Sequence, residues 1–467
     1  MLKRILSHTF IYGVAQQLPK LAALLSLPIV TKYLTQTDFG VLGVITATVG
    51  GISAFANLGL NVIIGNVFYK HPNHYKLAWR QLYGFLIIWN FAYSIMLGVI
   101  IYLFIPIEAQ DNTWMIIFLN IIPFLVFGPT AVFGRSYYQF KQKPIPIAIR
   151  SLIIGLLSVM LNVILISQYH LGYMGWFISI AFSSLVMNIS YWIPLNLRLN
   201  ITPILFFKRR YIKESLRVSF PIIPHYYSNY LLNSSDQLIM KIMNISVDNI
   251  GKYNASYMIG NAVQQIGIAA GQAVGPMMLE AYKQKNESRS RLIVFNLQAL
   301  FLSAVFSLAI WIKEVFHVLL KNEILSDMYV LGIIIVMSYA SRPMYIGASS
   351  KLFYFEKTKQ LLKITLVGGL LNVVLNLMLI PLYGFGVAAV TTYLSLLYMG
   401  YSGYFLKDFK AGNALSYYPV YWLILTVILT ISAIFIAEFS YYQKVIVNLV
   451  TLTSLLFYLN RIKSITK

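Results

Sequence analysis

A chain of 467 residues that is 58% hydrophobic and only 11% charged departs sharply from the roughly 25% charged share of soluble domains, which excludes an ordinary soluble enzyme or binding module. The net charge of +22 would suggest nucleic acid as the partner of a soluble protein, but in so apolar a chain it reports which side of a bilayer holds the Lys and Arg residues, and no nucleic acid is expected. The absence of cysteine excludes disulfides, thiolate metal sites and a cysteine nucleophile.

Apolar runs of about 20 residues, the length that crosses a hydrocarbon core of about 30 Å, recur along the whole sequence. Fourteen spans are predicted, at about 8–30, 39–66, 82–105, 113–133, 147–168, 174–195, 217–240, 250–278, 291–312, 326–349, 361–382, 386–406, 417–437 and 442–460. The alternating ten-residue segments of a closed barrel are absent, so the expected class is an all-α polytopic membrane protein of about 14 transmembrane helices. Lys3 and Arg4 ahead of an apolar run mimic a signal peptide. Gln16, Gln17 and Lys20 interrupt that run and no small-x-small cleavage site follows, so it reads as a retained first span.

With the N-terminus placed inside, the inner loops collect most of the 36 basic residues, among them Arg135, Lys141, Lys143 and Arg150, then Arg198, Lys208, Arg209, Arg210, Lys213 and Arg217. Acidic Glu108, Asp111, Glu314, Glu323 and Glu438 fall outside. Both termini are therefore predicted to be cytoplasmic. Only Lys20 and Arg342 remain as basic residues within spans.

The basic tract from Arg198 to Arg217 separates two halves that repeat one another. Leu161-Asn162-Val163-Ile164-Leu165-Ile166 matches Leu375-Asn376-Leu377-Met378-Leu379-Ile380 at an offset of 214 residues, and Asp38-Phe39-Gly40 matches Asn249-Ile250-Gly251 at 211. Because each half has six spans and starts inside, the repeat is parallel. The predicted organisation is an N-terminal six-helix lobe over 1–200, a C-terminal six-helix lobe over 201–410 and two additional helices over 411–467.

A charge near mid-membrane is expensive, so Lys20, beside Pro19, should face protein or water, with snorkelling to the interface as the plainer alternative. Arg342, beside Pro343 and nearer a span end, snorkels more easily; together the two would suit a phosphate-bearing ligand. The seventh span carries Pro221 and Pro224, which predict a bend, and His225, Tyr226, Tyr227, Tyr230 and Asp236. His225 reads either as a hydrogen-bonded structural residue or as a proton switch. Asp236 is either a wet helix-end group or a cavity carboxylate that binds a coupling cation or pairs with Lys20. In the eighth span Asn254, Asn261, Gln265 and Gln272 share one helical face while Gly260, Gly267, Gly271 and Gly275 share another. That stripe either lines a lumen or bonds helix to helix, and Asn57, Gly59 and Asn61 repeat it faintly in the second span. No metal-binding cluster, nucleotide loop or serine nucleophile motif appears, and the outer loops are too short for the chemistry of a membrane enzyme.

Three stretches carry a resemblance: Tyr33-Leu34-Thr35-Gln36-Thr37-Asp38-Phe39-Gly40-Val41-Leu42-Gly43, Ser234-Ser235-Asp236-Gln237-Leu238-Ile239, and Ile380-Pro381-Leu382-Tyr383-Gly384-Phe385-Gly386-Val387-Ala388-Ala389. Over essentially the whole chain they resemble the polysaccharide biosynthesis transporter family, the Wzx-type flippases of the multidrug/oligosaccharidyl-lipid/polysaccharide exporter superfamily.

That resemblance implies two six-helix lobes around a central cavity. It implies a non-enzymatic translocase of undecaprenyl pyrophosphate-linked oligosaccharide, an O-antigen or other surface-polysaccharide repeat unit, across the bacterial inner membrane by alternating access. It further implies coupling to a proton or sodium gradient, no cofactor, a monomer in the lipid bilayer, and a polysaccharide polymerase and chain-length regulator as pathway neighbours. In these terms Lys20 and Arg342 hold the pyrophosphate. Asn57, Asn61, Tyr226, Tyr227, Tyr230, Asn254, Asn261, Gln265 and Gln272 contact sugar, and Asp236 with His225 serves the ion. The second span departs from the family pattern, with Asn57 and Asn61 where relatives often carry Asp and, later, Arg. The alternatives are a cation-coupled multidrug exporter of the same superfamily and, from another class, a membrane glycan polymerase or acyltransferase.

Overall fold

A computed structural model describes residues 18–410 and 415–466, with side chains from 22 to 410 and from 415 to 460. Every regular element among the described residues is helical, as a lipid environment demands: a helix satisfies its own N–H and C=O groups where no water can. Among the described residues, ten helical segments are long and apolar enough to span a membrane.

The first unit comprises the described chain up to Tyr230 together with Asn244–Gly251. Its helices are α1 (Leu18–Val30), α2 (Gln36–Ala56), α3 (Asn61–Lys70), α4 (Tyr75–Phe104), α5 (Thr113–Phe127), α6 (Thr130–Phe140), α7 (Pro144–Val163), α8 (Gly172–Trp192) and α9 (Arg209–Ser219), followed by the first residues of α10 (Ile223–Asn233). Thr35 caps α2: its hydroxyl accepts from the Asp38 amide at 3.2 Å while the Asp38 carboxylate accepts from the Thr35 amide at 2.8 Å, a reciprocal capping box. Val41, Ile45, Tyr93, Leu97, Ile116 and Phe177 form one buried cluster, and Leu58, Ile64, Trp79, Leu82, Phe133 and Ile212 another. Beyond α8 the chain is stitched along α4. The Ile204 amide donates to the Arg80 carbonyl at 2.9 Å, the Arg80 Nε to the Thr202 carbonyl at 2.9 Å, and the Lys76 ammonium to the Leu199 carbonyl at 3.0 Å.

The repeated glycines explain a second close approach within this unit. A Cβ on Gly251 would stand 1.8 Å from the Gln36 carbonyl oxygen and one on Gly40 2.0 Å from that of Val247. Between them the Thr37 hydroxyl donates to the Asp248 carboxylate at 2.6 Å. Only a residue without a side chain allows backbones to meet this closely.

The second unit comprises Leu231–Met243 and Lys252 onward. It holds the end of α10, α11 (Ser235–Ile242), most of α12 (Val247–Lys283), α13 (Glu287–Ile310), α14 (Ile312–Leu319), α15 (Glu323–Ser326), α16 (Tyr329–Ser338), α17 (Arg342–Tyr354), α18 (Thr358–Tyr383), α19 (Val387–Tyr401), α20 (Lys407–Lys410), α21 (Pro419–Ile436) and α22 (Tyr441–Thr466). Helices α21 and α22 pack on α13. Near their connection a fully buried Lys444 pairs with Glu314 at 2.5 Å and lies 5.6 Å from the Trp311 ring centre.

The predicted spans that fall short of a full apolar crossing do so for readable reasons. The described part of the first is the 13 residues of α1. The seventh is divided into α9, a 3-10 turn at Phe220–Ile222, α10 and α11, where Pro221 and Pro224 withhold backbone donors. The eighth lies in the 37-residue α12, lengthy but interrupted by amides, and the twelfth is the 15-residue α19 continued by a 3-10 turn at Ser402–Phe405.

Candidate functional site

Asp236 lies in the first turn of α11, after the helical run breaks at Ser234, which has φ −145° and ψ −5°. The break brings the carboxylate inward, where it is 1% exposed. Four side chains of the second unit donate to it. Asn372 Nδ2 and Asn376 Nδ2 each reach Oδ1 at 2.7 Å, while Tyr253 Oη and Thr392 Oγ1 reach Oδ2 at 2.5 and 2.9 Å. Asn372 and Asn376 are one helical turn apart on α18, so a single helix face supplies both amides. Thr391 extends the network by donating to Asn376 Oδ1 at 2.5 Å. Each of these donors is itself buried.

No ion pair among the described residues includes Asp236. Its buried carboxylate is thus stabilised by neutral dipoles, which satisfy its lone pairs without cancelling its charge. A half-turn of either Asn side-chain amide would replace an N–H donor with a carbonyl oxygen. The cluster would then offer carboxylate, amide and hydroxyl oxygens, the ligand type of a hard cation. Protonation of Asp236 is the other way to neutralise the charge. Among the described residues no group of three or more His, Cys, Asp or Glu gathers as a metal site.

Further amide pairs flank the carboxylate. Gln237 Nε2 donates to Asn254 Oδ1 at 2.9 Å, and Gln264 Nε2 to Asn233 Oδ1 at 2.7 Å. Asn254 of the predicted polar stripe therefore bonds to a neighbouring helix. Gln265 is half-buried, and Asn261 and Gln272 are exposed. On the glycine face, a Cβ on Gly260 would meet Ile335 at 2.4 Å, on Gly267 Arg342 at 3.1 Å and on Gly271 Ile346 at 3.1 Å, whereas Gly275 faces open space.

Arg342 begins α17 after a 3-10 turn at Tyr339–Ser341. Its guanidinium carbon lies 5.8 Å from the Tyr345 ring centre, and its Nε is buried without a hydrogen-bond partner. Among the described residues no carboxylate lies within ion-pair distance of it. The other predicted cation, Lys20, falls in α1 with its side chain outside the described residues.

The remaining candidates belong to the first unit. Tyr227 packs edge-on to Phe55 with ring centres 5.8 Å apart, and Tyr230 lies over Gly50 and Gly51. Tyr226 is 40% exposed, and His225 is half-buried with its ring centre 6.5 Å from that of Tyr226. The α2 run ends at Asn57, after which Leu58 and Gly59 adopt φ of 49° and 70°. A Cβ on Gly59 would lie 2.5 Å from the Ser219 carbonyl oxygen, so the glycine both permits the turn and admits the neighbouring chain. Asn61, just past that turn, is exposed, while Asn57 lines a pocket of about 590 Å³ inside this unit.

Sequence reasoning named Asp236 but gave Tyr253, Asn372, Asn376, Thr391 and Thr392 no functional role. The usable signal was the pair of amides four residues apart in an otherwise apolar stretch, since polar side chains in a membrane helix are costly unless they have partners.

The family model for "Polysaccharide biosynthesis protein" matches residues 5–282. Among solved structures, the lipid II flippase MurJ in an inward closed conformation is similar, with a TM-score of 0.66 at 12% identity over 94% of this chain and 100% of that one. An inward-facing multidrug resistance MATE family transporter of the MOP superfamily gives 0.57 at 15% identity over 92% and 98%. The Vibrio cholerae MATE transporter VcmN in its bent form gives 0.53 at 13% identity over 91% and 98%. At such identities the likeness establishes the fold. No curated protein sequence matches.

Proposed function

The chain belongs to the polysaccharide biosynthesis protein family, and on that premise we propose that it is a cation-coupled flippase for lipid-linked oligosaccharide. It carries an undecaprenyl pyrophosphate-linked repeat unit of a surface polysaccharide, such as O-antigen, from the cytoplasmic to the outer leaflet of the bacterial inner membrane. Both termini are cytoplasmic, and the protein acts as a monomer by alternating access.

The observation that carries this reading is the Asp236 cluster: a fully buried carboxylate held by four neutral donors and no cation among the described ion pairs. A proton or sodium ion entering the cluster changes its net charge by one in a low-dielectric surrounding, where such a change is energetically large. A site of this kind ties the preferred conformation to cation occupancy. Arg342, with its buried unpartnered Nε, and Lys20 are the positive groups for the pyrophosphate. Exposed Tyr226 and the exposed amides Asn61, Asn261 and Gln272 are available to sugar, and the half-buried Tyr227 and Tyr230 of α10 are assigned to ring faces.

The test is the location of the lipid-linked units in a strain lacking the gene. Units trapped on the cytoplasmic side support export, whereas unpolymerised units accumulating outside indicate a glycan polymerase instead. A Lys20→Ala protein that inserts normally should fail to restore surface polysaccharide, and normal export by it would contradict the role of Lys20. A second reading, export of cationic drugs, is favoured by the same buried acid, because a carboxylate without an ion-pair partner also attracts an organic cation. Unchanged drug susceptibility in the deletion strain opposes it.

A further inference from the structure

Within the first unit, α2, α4, α5, α6, α7 and α8 line a pocket of about 590 Å³. Its polar lining includes Asn57, Asn90, Asn120, Ser158, Ser183 and Asn188, and among the described residues none that lines it carries a charge. Local sequence creates both the space and the polarity. Pro123 lies inside α5 and lacks the N–H that a helix would supply to the Leu119 carbonyl. At the end of α5, Gly128 turns with φ 48° ahead of Pro129.

The side-chain hydrogen bonds leave acceptors over. Asn120 Nδ2 donates to the Ile116 carbonyl at 2.8 Å and Asn188 Nδ2 to the Pro123 carbonyl at 3.1 Å. Asn90, 2% exposed, and Ser183, 8% exposed, have a buried Oδ1 and Oγ with no partner. Such orphaned buried groups are uncommon in a folded protein and offer acceptors to a hydrogen-bonding ligand.

The chemistry of the lining selects among ligands. The described lining offers no carboxylate to draw a bare cation out of water and no Lys or Arg to hold a phosphate. An apolar molecule would leave its acceptors unpaired. A neutral polyol supplies hydroxyl donors to the amide and serine oxygens while its C–H faces meet Leu119, Ile154 and Met187. The volume falls within the roughly 300–1,000 Å³ of small-molecule pockets.

We propose that this pocket is a subsite for one neutral sugar ring of the transported head group. The proposal rests on the flippase reading above. It assigns recognition of that one ring to the first unit, whereas the Asp236 cluster belongs to the second.

The experiment measures binding to the full-length protein in lipid nanodiscs with two probes: undecaprenyl pyrophosphate carrying a single N-acetylhexosamine, and undecaprenyl pyrophosphate without sugar. The wild type should bind the glycosylated probe at least about 10-fold more tightly, the discrimination that a few well-placed hydrogen bonds provide. Asn90→Leu combined with Ser183→Ala should erase that preference while leaving the sugar-free probe unaffected. Ser158→Leu, which fills the pocket from α7 and leaves Asn90 intact, should do the same and serves where the first variant does not fold. Equal binding of the two probes by wild type overturns the sugar subsite and leaves the flippase reading standing, as does a preference that survives in a folded variant. Failure of wild type to bind either probe overturns the flippase reading and the subsite with it.

Discussion

Asn376 donates to the carboxylate of Asp236 at 2.7 Å across 140 residues of sequence. Its counterpart in the first half of the repeat, Asn162, has a buried Oδ1 with no hydrogen-bond partner. Among the described residues the matched amides therefore differ in partner: Asn376 meets a carboxylate and Asn162 Oδ1 meets no hydrogen-bond donor.

That asymmetry separates charge from packing by mutation. Asn376→Leu removes a donor from a buried carboxyl group and should lower stability by about 1–3 kcal/mol. Asp236→Asn nearly preserves the shape while removing the charge, so it should unfold close to the wild-type temperature and lose any cation-dependent stabilisation. Thermal unfolding of both variants, with sodium varied at constant ionic strength and then with pH varied, checks the pair.

The glycine crossing makes a steric prediction. Gly251→Ala places a methyl group 1.8 Å from the Gln36 carbonyl oxygen, an overlap that backbone movement must relieve at about 1–3 kcal/mol or more. Gly275→Ala, with nothing within 4 Å of the added carbon, should be neutral or gain up to about 1 kcal/mol from helix propensity. Comparing their unfolding in one detergent distinguishes a close crossing from a general intolerance of larger residues in α12.

The buried Lys444–Glu314 pair predicts how the last two helices are held. Lys444→Met strands Glu314 and should cost about 3 kcal/mol, near the low end for breaking a buried pair, because the Glu314 side chain keeps 22% exposure. Adding Glu314→Gln should recover part of the loss. A double-mutant cycle followed by thermal unfolding measures the coupling.

A pH effect is expected from the Lys313–Glu438 pair, 2.5 Å apart and partly exposed. The hydrogen bonds from Lys313 and then Tyr329 hold the Glu438 carboxyl below its ordinary value. A depressed carboxyl stabilises the folded protein above its unfolded pKa, and that contribution fades as pH falls through the folded value. Glu438→Gln should therefore reduce stability slightly at neutral pH and make the loss below about pH 4 shallower. Because these groups face solvent, the difference should shrink at high salt. Unfolding temperatures between neutral and acid pH at two salt concentrations test the sign.

The helical class was legible because apolar length is a property of each segment alone, and Asp236 because an acid in an apolar span stands out. Its partners were hidden by distance in sequence: Tyr253, Asn372 and Thr392 converge from three helices. Asn376 was visible only as a repeat marker. The pocket around Asn57 is harder still to read, since several helices each add isolated Asn or Ser residues and no local pattern joins them. The division of the seventh span followed from Pro221 and Pro224, but the break at Ser234 that aims Asp236 inward has no proline to announce it.

Cation coupling at Asp236 is tested most directly in proteoliposomes that follow movement of a fluorescent undecaprenyl pyrophosphate-linked sugar under an imposed proton or sodium gradient. Wild type should move the lipid faster when one of these gradients is present. Asp236→Asn, folded and able to bind the lipid, should be indifferent to both. Gradient-driven movement that persists undiminished in Asp236→Asn would contradict the assignment.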